Sequence, residues 1–410
     1  MSKAKRYINL IALCIGAGCI FKLAYLRDVY YTPLQEALGV SNTQMGLLIT
    51  FFAVTQMLAY LPGGWLVDVI PVKYVLPIGL ISTGLLGFWE STYPSFTCIL
   101  IIQMGYGITI TLFFWDAMIK ATRMLADEDG QGKMFGLQEG LRGACGTLVS
   151  FIGLYFFNGF GEGPEGLQKT MIFYSCWLVA AGVVVFLLMD KNEVEGKVNA
   201  KEALGGMVKV LKMPKVWLAA AIVFFGYSFY NGLSFMSPML IEQFGMSETA
   251  ASAISIIRQY GIAIFAAPLG GIIADKMGSR IKFLSVIMVV GAVATAIFLV
   301  IPYGSSTVKL GIVIMLLVAI AMFMMRGTYY STSSELGISV IAAGAAAGVM
   351  SLLGNMPDFY IFTLYGNMLD RYQGAAGYKA IFVLMIAHAI GAAICAILLY
   401  KAVKKDKAAA

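Results

Sequence analysis

The sequence predicts an all-α membrane protein with twelve transmembrane helices in two pseudo-symmetric six-helix bundles. Three observations predict it. Apolar runs of membrane-crossing length recur along the whole chain, the longest polar stretch divides them six and six, and one short Gly-to-Asp loop with basic residues occurs twice, half a chain apart. Of 410 residues, 60% are hydrophobic and only 12% charged, with mean hydropathy +0.82. That is more apolar surface than a single soluble core of this length could hide, so lipid must be the main solvent. A spanning helix needs about 20 mostly apolar residues to cross roughly 30 Å of hydrocarbon, where the backbone can bond only to itself.

The first span is placed over residues 7–31. Its basic start, Lys3, Lys5 and Arg6, imitates a signal peptide, but the apolar run continues past Lys22 without a small-residue cleavage site, so it reads as a membrane helix. Spans follow over 42–62, 73–92, 96–119, 134–158 and 169–189, punctuated by Pro71, the acidic turn Asp127, Glu128, Asp129 and the Gly-rich stretch from Gly159 to Gly166. The polar segment Asp190 to Lys215 then separates the second set, at 216–241, 249–269, 282–301, 309–331, 339–366 and 378–400. Residues 1–190 are therefore expected to form an N-terminal bundle, 191–215 a cytoplasmic linker, and 216–410 a C-terminal bundle.

Lys and Arg are retained on the cytoplasmic side during insertion. With both termini in the cytoplasm, that side carries 20 of the 29 basic residues, the opposite loops 4 and the spans 5. Because the basic residues sit in short loops and not on a soluble face or arm, the net charge of +7 does not point to nucleic acid. All six cysteines fall in apolar segments, which leaves neither a disulfide framework nor a zinc spacing. No cofactor or metal site is expected, and no nucleophile motif or room for a catalytic domain suggests an enzyme.

The duplicated loop reads Gly64-Trp-Leu-Val-Asp68-Val-Ile-Pro-Val-Lys73 after the second span and Gly271-Ile-Ile-Ala-Asp275-Lys276-Met-Gly278-Ser-Arg280 after the eighth. The two aspartates lie 207 residues apart, at equivalent places in each half. These residues resemble the signature loop of the major facilitator superfamily over the full length of the chain. The second copy is nearly complete; the first lacks the basic residue after Asp68 and the Gly that follows in the pattern. The resemblance implies alternating access and a cytoplasmic latch in which Asp68, Asp275 and Arg280 take part. It also implies a central cavity lined by spans 1, 4, 7 and 10, with 2, 5, 8 and 11 between the halves. Shorter segments, Tyr25-Leu-Arg27-Asp28 with Pro33, Phe114-Trp115-Asp116, Gly136 to Gly143 and Ser351 to Asp358, resemble bacterial organophosphate and organic anion porters.

A charge at mid-membrane costs roughly 2.5–3.5 kcal/mol on insertion scales, so one retained there faces a polar cavity or a partner. Five basic residues qualify, Lys22, Arg27, Arg142, Arg258 and Arg326, against three acidic ones, Asp116, Glu139 and Asp358. None falls on spans 3, 6, 9 or 12, which the resemblance places against lipid. The excess of positive charge predicts an anionic guest, and guanidinium is the better fork for carboxylate, phosphate or sulfonate oxygens. Asp116 with Lys120, and Glu139 with Arg142, stand at helical spacing and could pair. Arg258 and Arg326 have no acid at such spacing on their own spans. Tyr227, Tyr230, Asn231 and Ser234 form one polar stripe on span 7, and Tyr25 and Trp115 could stack on a substrate. The expected substrate-binding set is thus Lys22, Tyr25, Arg27, Trp115, Arg142, Tyr227, Tyr230, Asn231, Arg258 and Arg326, with Asp116, Glu139 and Asp358 for proton coupling or gating. The function expected is secondary transport of a small organic anion with protons or a counter-anion, by a monomer in a bacterial cytoplasmic membrane. The rivals are a proton-driven exporter of drugs or metabolites and a transporter-like ligand sensor.

Overall fold

The computed structural model describes residues 3–125, 131–189, 210–336 and 340–409, and every regular element among them is helical. In chain order these are α1 (Lys3–Ala17), α2 (Tyr31–Leu38), α3 (Asn42–Val69), α4 (Val72–Glu90), α5 (Phe96–Ile108), α6 (Asp116–Leu125), α7 (Gln131–Gly159) and α8 (Gly163–Leu188). Beyond the linker come α9 (Pro214–Asn231), α10 (Met236–Glu242), α11 (Glu248–Ile256), α12 (Ile262–Lys276), α13 (Arg280–Val300), α14 (Val308–Arg326), α15 (Val340–Gly354), α16 (Ile361–Arg371) and α17 (Ala375–Ala409). Two compact units result, Met1–Lys197 with Ser247–Tyr260, and Val198–Met246 with Gly261–Ala410. Most of the expected linker lies outside the described residues.

Among the described residues, ten helical stretches are long and apolar enough to cross a bilayer. The first and eleventh expected spans are present as interrupted helices. In the first, the chain leaves α1 at Ala17, passes through a series of turns and the 3-10 turn Leu26–Asp28, and re-enters a helix at Tyr31. Gly18 lies where the α7 backbone passes, and a Cβ there would stand 2.7 Å from the Gly146 amide nitrogen. In the eleventh, the 3-10 turn Met356–Phe359 separates α15 from α16 at Pro357, whose ring cannot continue a helix interior. Two further spans contain π-helical turns, Thr109–Trp115 and Ile257–Gly261.

In the first unit α4 packs along α8 and α3 along α5. Thr83 and Thr109 share a 2.8 Å hydroxyl hydrogen bond that ties α4 to the π-helical turn, and Thr55 donates to the Met104 carbonyl at 2.9 Å across the α3–α5 contact. The segment Ser247–Tyr260 joins this unit through polar ties. Gly163 N donates to Glu248 Oε2 at 2.9 Å, Thr249 to Glu162 Oε1 at 2.6 Å and Ser252 to the Val29 carbonyl at 3.1 Å. In the second unit α13 and α9 both pack on α17, and α12 crosses α14. That crossing is close because two glycines face backbone: a Cβ on Gly270 would stand 2.5 Å from the Met324 carbonyl oxygen, and one on Gly327 2.7 Å from that of Ala267.

One expectation about buried charge is corrected. Glu90, the last residue of α4 on the third span, is fully buried. The expectation from sequence puts no buried charge on spans 3, 6, 9 or 12, and Glu90 lies within the third, 73–92.

Candidate functional site

In the second unit, Arg326 is the last residue of α14, where the carbonyl end of the helix favours a cation. Its guanidinium carbon stands 4.6 Å from the centre of the Tyr230 ring. Tyr227, Tyr329 and Tyr330 lie within electrostatic reach of it as well. Despite this frame of phenols the side chain is exposed to solvent, and among the described residues no carboxylate pairs with it. Tyr230 stacks on Tyr227 with ring centres 5.8 Å apart and planes 17° from parallel, and meets Phe323 edge-on.

Beneath these rings lies Asp358, 4% exposed. Its Oδ2 accepts from the Tyr227 hydroxyl at 2.9 Å and its Oδ1 from Asn231 Nδ2 at 2.7 Å. The interruption at Pro357 aims the acid at α9, and the three-to-four-residue spacing of Tyr227, Tyr230 and Asn231 puts all three on the side that meets it. The structure thus brings together five residues anticipated from sequence: Tyr227, Tyr230, Asn231, Arg326 and Asp358. Tyr329 and Tyr330 were missed; they follow α14 directly, where tyrosine reads as an interfacial anchor.

The first unit gathers a second group around its interrupted helix. Lys22, 6% exposed, holds its Nζ 3.1 Å from the centre of the Tyr260 ring and makes no hydrogen bond among the described residues. Arg27 donates to the Met45 carbonyl at 2.7 Å and lies 5.0 Å from the Tyr31 ring centre, so it points into protein and not toward headgroups. Tyr25 meets Phe52 edge-on at 5.2 Å, and Trp115 meets Phe21 edge-on at 5.9 Å, so one aromatic cluster carries both expected stacking residues.

Arg258 departs from expectation. It was expected to face an open cavity, but it is fully buried in the π-helical turn and donates to the Asp28 carbonyl at 3.2 Å. It acts as a tie between the π-helical turn and the 3-10 turn after Tyr25. Asp116 follows the other π turn. Lys120 donates to the Val67 carbonyl at 2.8 Å, and Asp116 Oδ2 is buried without a hydrogen-bond donor among the described residues. Glu139 and Arg142 do pair, at 2.6 Å, on an open face of α7. Arg142 also lies within electrostatic reach of Lys22.

At the second signature loop Asp275 pairs with Arg280 at 3.2 Å in the open. Glu335 completes this loop unforeseen. Its Oε1 accepts from Arg280 N at 2.5 Å and its Oε2 from the Ser279 hydroxyl at 2.7 Å, which caps the start of α13. The Asp68 side chain of the first loop lies outside the described residues. Two shallow grooves on α4, one reaching Phe186 and the other Trp89, have apolar walls.

An all-helical membrane protein whose intramembrane charges cluster at interrupted helices has the make-up of a solute carrier. Residues 13–357 match the model of the Major Facilitator Superfamily, and the chain belongs to that family of secondary transporters. It is similar to two inner membrane proteins of Escherichia coli (strain K12). YihN is 31% identical over 405 residues, covering 97% of this chain and 96% of YihN, and YqcE is 29% identical over 390 residues, covering 93% and 92%. Among solved structures, a bacterial homologue of the human lysosomal transporter Spinster, in an inward-facing and occupied conformation, superposes with TM-score 0.79 at 17% identity and 98% coverage of both chains. The nucleoside transporter NupG superposes with TM-score 0.78 at 13% identity, covering 96% of this chain and 100% of that one. The protein is a multi-pass membrane transporter, not an enzyme.

Proposed function

We propose that the protein moves a small organic anion by alternating access, with both termini in the cytoplasm of a bacterium. The observation that carries this reading is Arg326: a guanidinium open to solvent, ringed by tyrosines and unpaired with any carboxylate among the described residues. Its donors are available to a carboxylate, phosphate or sulfonate, because the phenols around it supply no acid to neutralise it. The nearby acid is already satisfied by Tyr227 and Asn231. The first unit holds a buried cation of its own, Lys22, against the Tyr260 ring. Arg258 serves in this reading as a positioning residue. The short segments that resemble organophosphate and organic anion porters support the same substrate class. Asp358 and Asp116, an acid held by two donors and an acid oxygen lacking one, are the groups proposed to carry coupling protons.

A thermal-shift screen of the purified protein against sugar acids, sugar phosphates, sulfonates and small carboxylates tests the proposal. A ligand present at about 100 times its Kd stabilises by roughly 2.7 kcal/mol. Stabilisation by an anion in the native protein, and its loss in Arg326→Gln at unchanged ligand-free Tm, is the expected result. Equal stabilisation of the variant, or stabilisation by cations alone, overturns it. The second outcome favours the exporter reading, for which the likeness of this chain to the quinolone resistance protein NorA of Staphylococcus aureus, 24% identity over 187 residues, is the supporting observation.

A further inference from the structure

Glu90 is a buried acid that the transport reading leaves unused. It closes α4, is 0% exposed, and forms no ion pair with Lys, Arg or His among the described residues. One of its oxygens, Oε2, accepts a 2.6 Å hydrogen bond from the Tyr106 hydroxyl on α5. The other, Oε1, is buried and has no donor at hydrogen-bond geometry among the described residues. Gln103, one helical turn before Tyr106, interacts with the same carboxyl, is itself 2% exposed, and has its own Oε1 buried without a donor. The phenols of Tyr106 and of Tyr93, in the turn after α4, are the titratable groups that act on Glu90. Among the described residues, α8 and α6, which also pack on α4, bring none into interaction with it.

We propose that Glu90 is an occluded proton-binding site of the first unit, with the proton on Oε1 shared toward Gln103. Two orphaned acceptor oxygens stand on interacting side chains, and a single proton supplies the donor that both lack. Turning the Gln103 amide would give a carboxylate one more N–H donor, and amide orientation is an assigned feature. That rearrangement still leaves a full negative charge buried with two hydrogen bonds and no cation, which costs far more than burying a neutral acid. A metal cation is the poorer occupant, because sodium-sized ions seek more oxygens than one carboxyl and one amide provide. The site sits on spans 3 and 4, on different elements from Arg326 and Asp358, so it stands or falls separately from the anion reading.

Infrared spectroscopy of the full-length protein in lipid nanodiscs at neutral pH tests it, comparing wild type, Glu90→Gln and Tyr106→Phe without any substrate. The expected result is a protonated-carboxyl carbonyl band in the wild type that disappears in Glu90→Gln and shifts in frequency in Tyr106→Phe, which removes the donor to Oε2. Glu90→Gln should melt at the wild-type temperature, since its amide reproduces both hydrogen bonds. If Glu90→Gln does not fold, the frequency shift in Tyr106→Phe carries the test alone. A wild-type spectrum with no band attributable to Glu90, or a carboxylate band at that position that responds to added sodium, overturns the proposal.

Discussion

Lys22 shows how a single residue can be costly to the fold and useful to the carrier. An ammonium prefers several oxygen acceptors, and here it meets the face of Tyr260 instead. A desolvated cation–π contact returns about 2 kcal/mol, less than the several kcal/mol lost on burying the charge. Lys22→Met is therefore expected to raise the Tm of the ligand-free protein; a fall of several degrees would mean that the charge has a stabilising partner in the fold. Asp358 is the opposite case, a buried acid with donors on both oxygens. Hydrogen bonds to a charged group contribute about 1.5–3 kcal/mol each. Tyr227→Phe should lose an amount of that order in chemical denaturation, and pairing it with Asp358→Asn should give less than the sum of the single changes. Full additivity would show that the two side chains act independently. Both residues were legible in the sequence as charges or hydroxyls where lipid was expected. Glu90 was not, because it stands at the end of its span, where the local sequence does not separate a buried carboxylate from a solvated one.

At the scale of elements, the charged residues sort by backbone. Lys22, Arg27 and Asp28 lie in the break of the first span, Asp116 after one π turn, Arg258 within the other, Arg326 at the end of α14, and Asp358 in a 3-10 turn. Irregular backbone is tolerated in a membrane protein where it lines protein or a cavity, and it frees groups that charged side chains can meet. Glu139 and Arg142, in regular α7, satisfy each other in the open instead. Their spacing was readable from the sequence. The π turns were not, since no local residue pattern announces one extra residue in a helix. The break at Gly18 depends on its lack of a side chain: Gly18→Ala places a Cβ against the Gly146 backbone, and overpacking of this kind costs about 1–3 kcal/mol. A Tm equal to wild type would show that α7 can move aside. Glu335 caps α13, so Glu335→Ala is expected to lower stability by about 1 kcal/mol and to speed amide exchange at Arg280 and Lys282 above that of the rest of α13. Unchanged exchange at both would remove the capping role.

For the whole molecule, an uneven distribution of stability follows from this arrangement. The regular lengths of α4, α8, α13 and α17 pack along one another and should exchange their amides slowest. Residues 18–25, Thr109–Trp115 and Ile257–Gly261 should exchange faster than the helices that flank them. Hydrogen exchange resolved by peptide would check this, and uniform protection through all three stretches would show them to be as rigid as the α-helices around them.

The helical membrane fold followed from the sequence by itself, because apolar length and a duplicated Gly-to-Asp loop are legible one segment at a time. For the same reason the candidate charges could be picked out singly: each breaks the rule that lipid sets for its own span. Which of them stand open and which are consumed was decided only by tertiary structure. Arg258 and Arg326 look alike as isolated arginines in apolar helices, yet one donates to a backbone carbonyl in the interior and the other is held open among tyrosines. The difference arises from groups on distant segments, and the energy of a buried charge depends on all the groups around it, which no local reading of the chain contains.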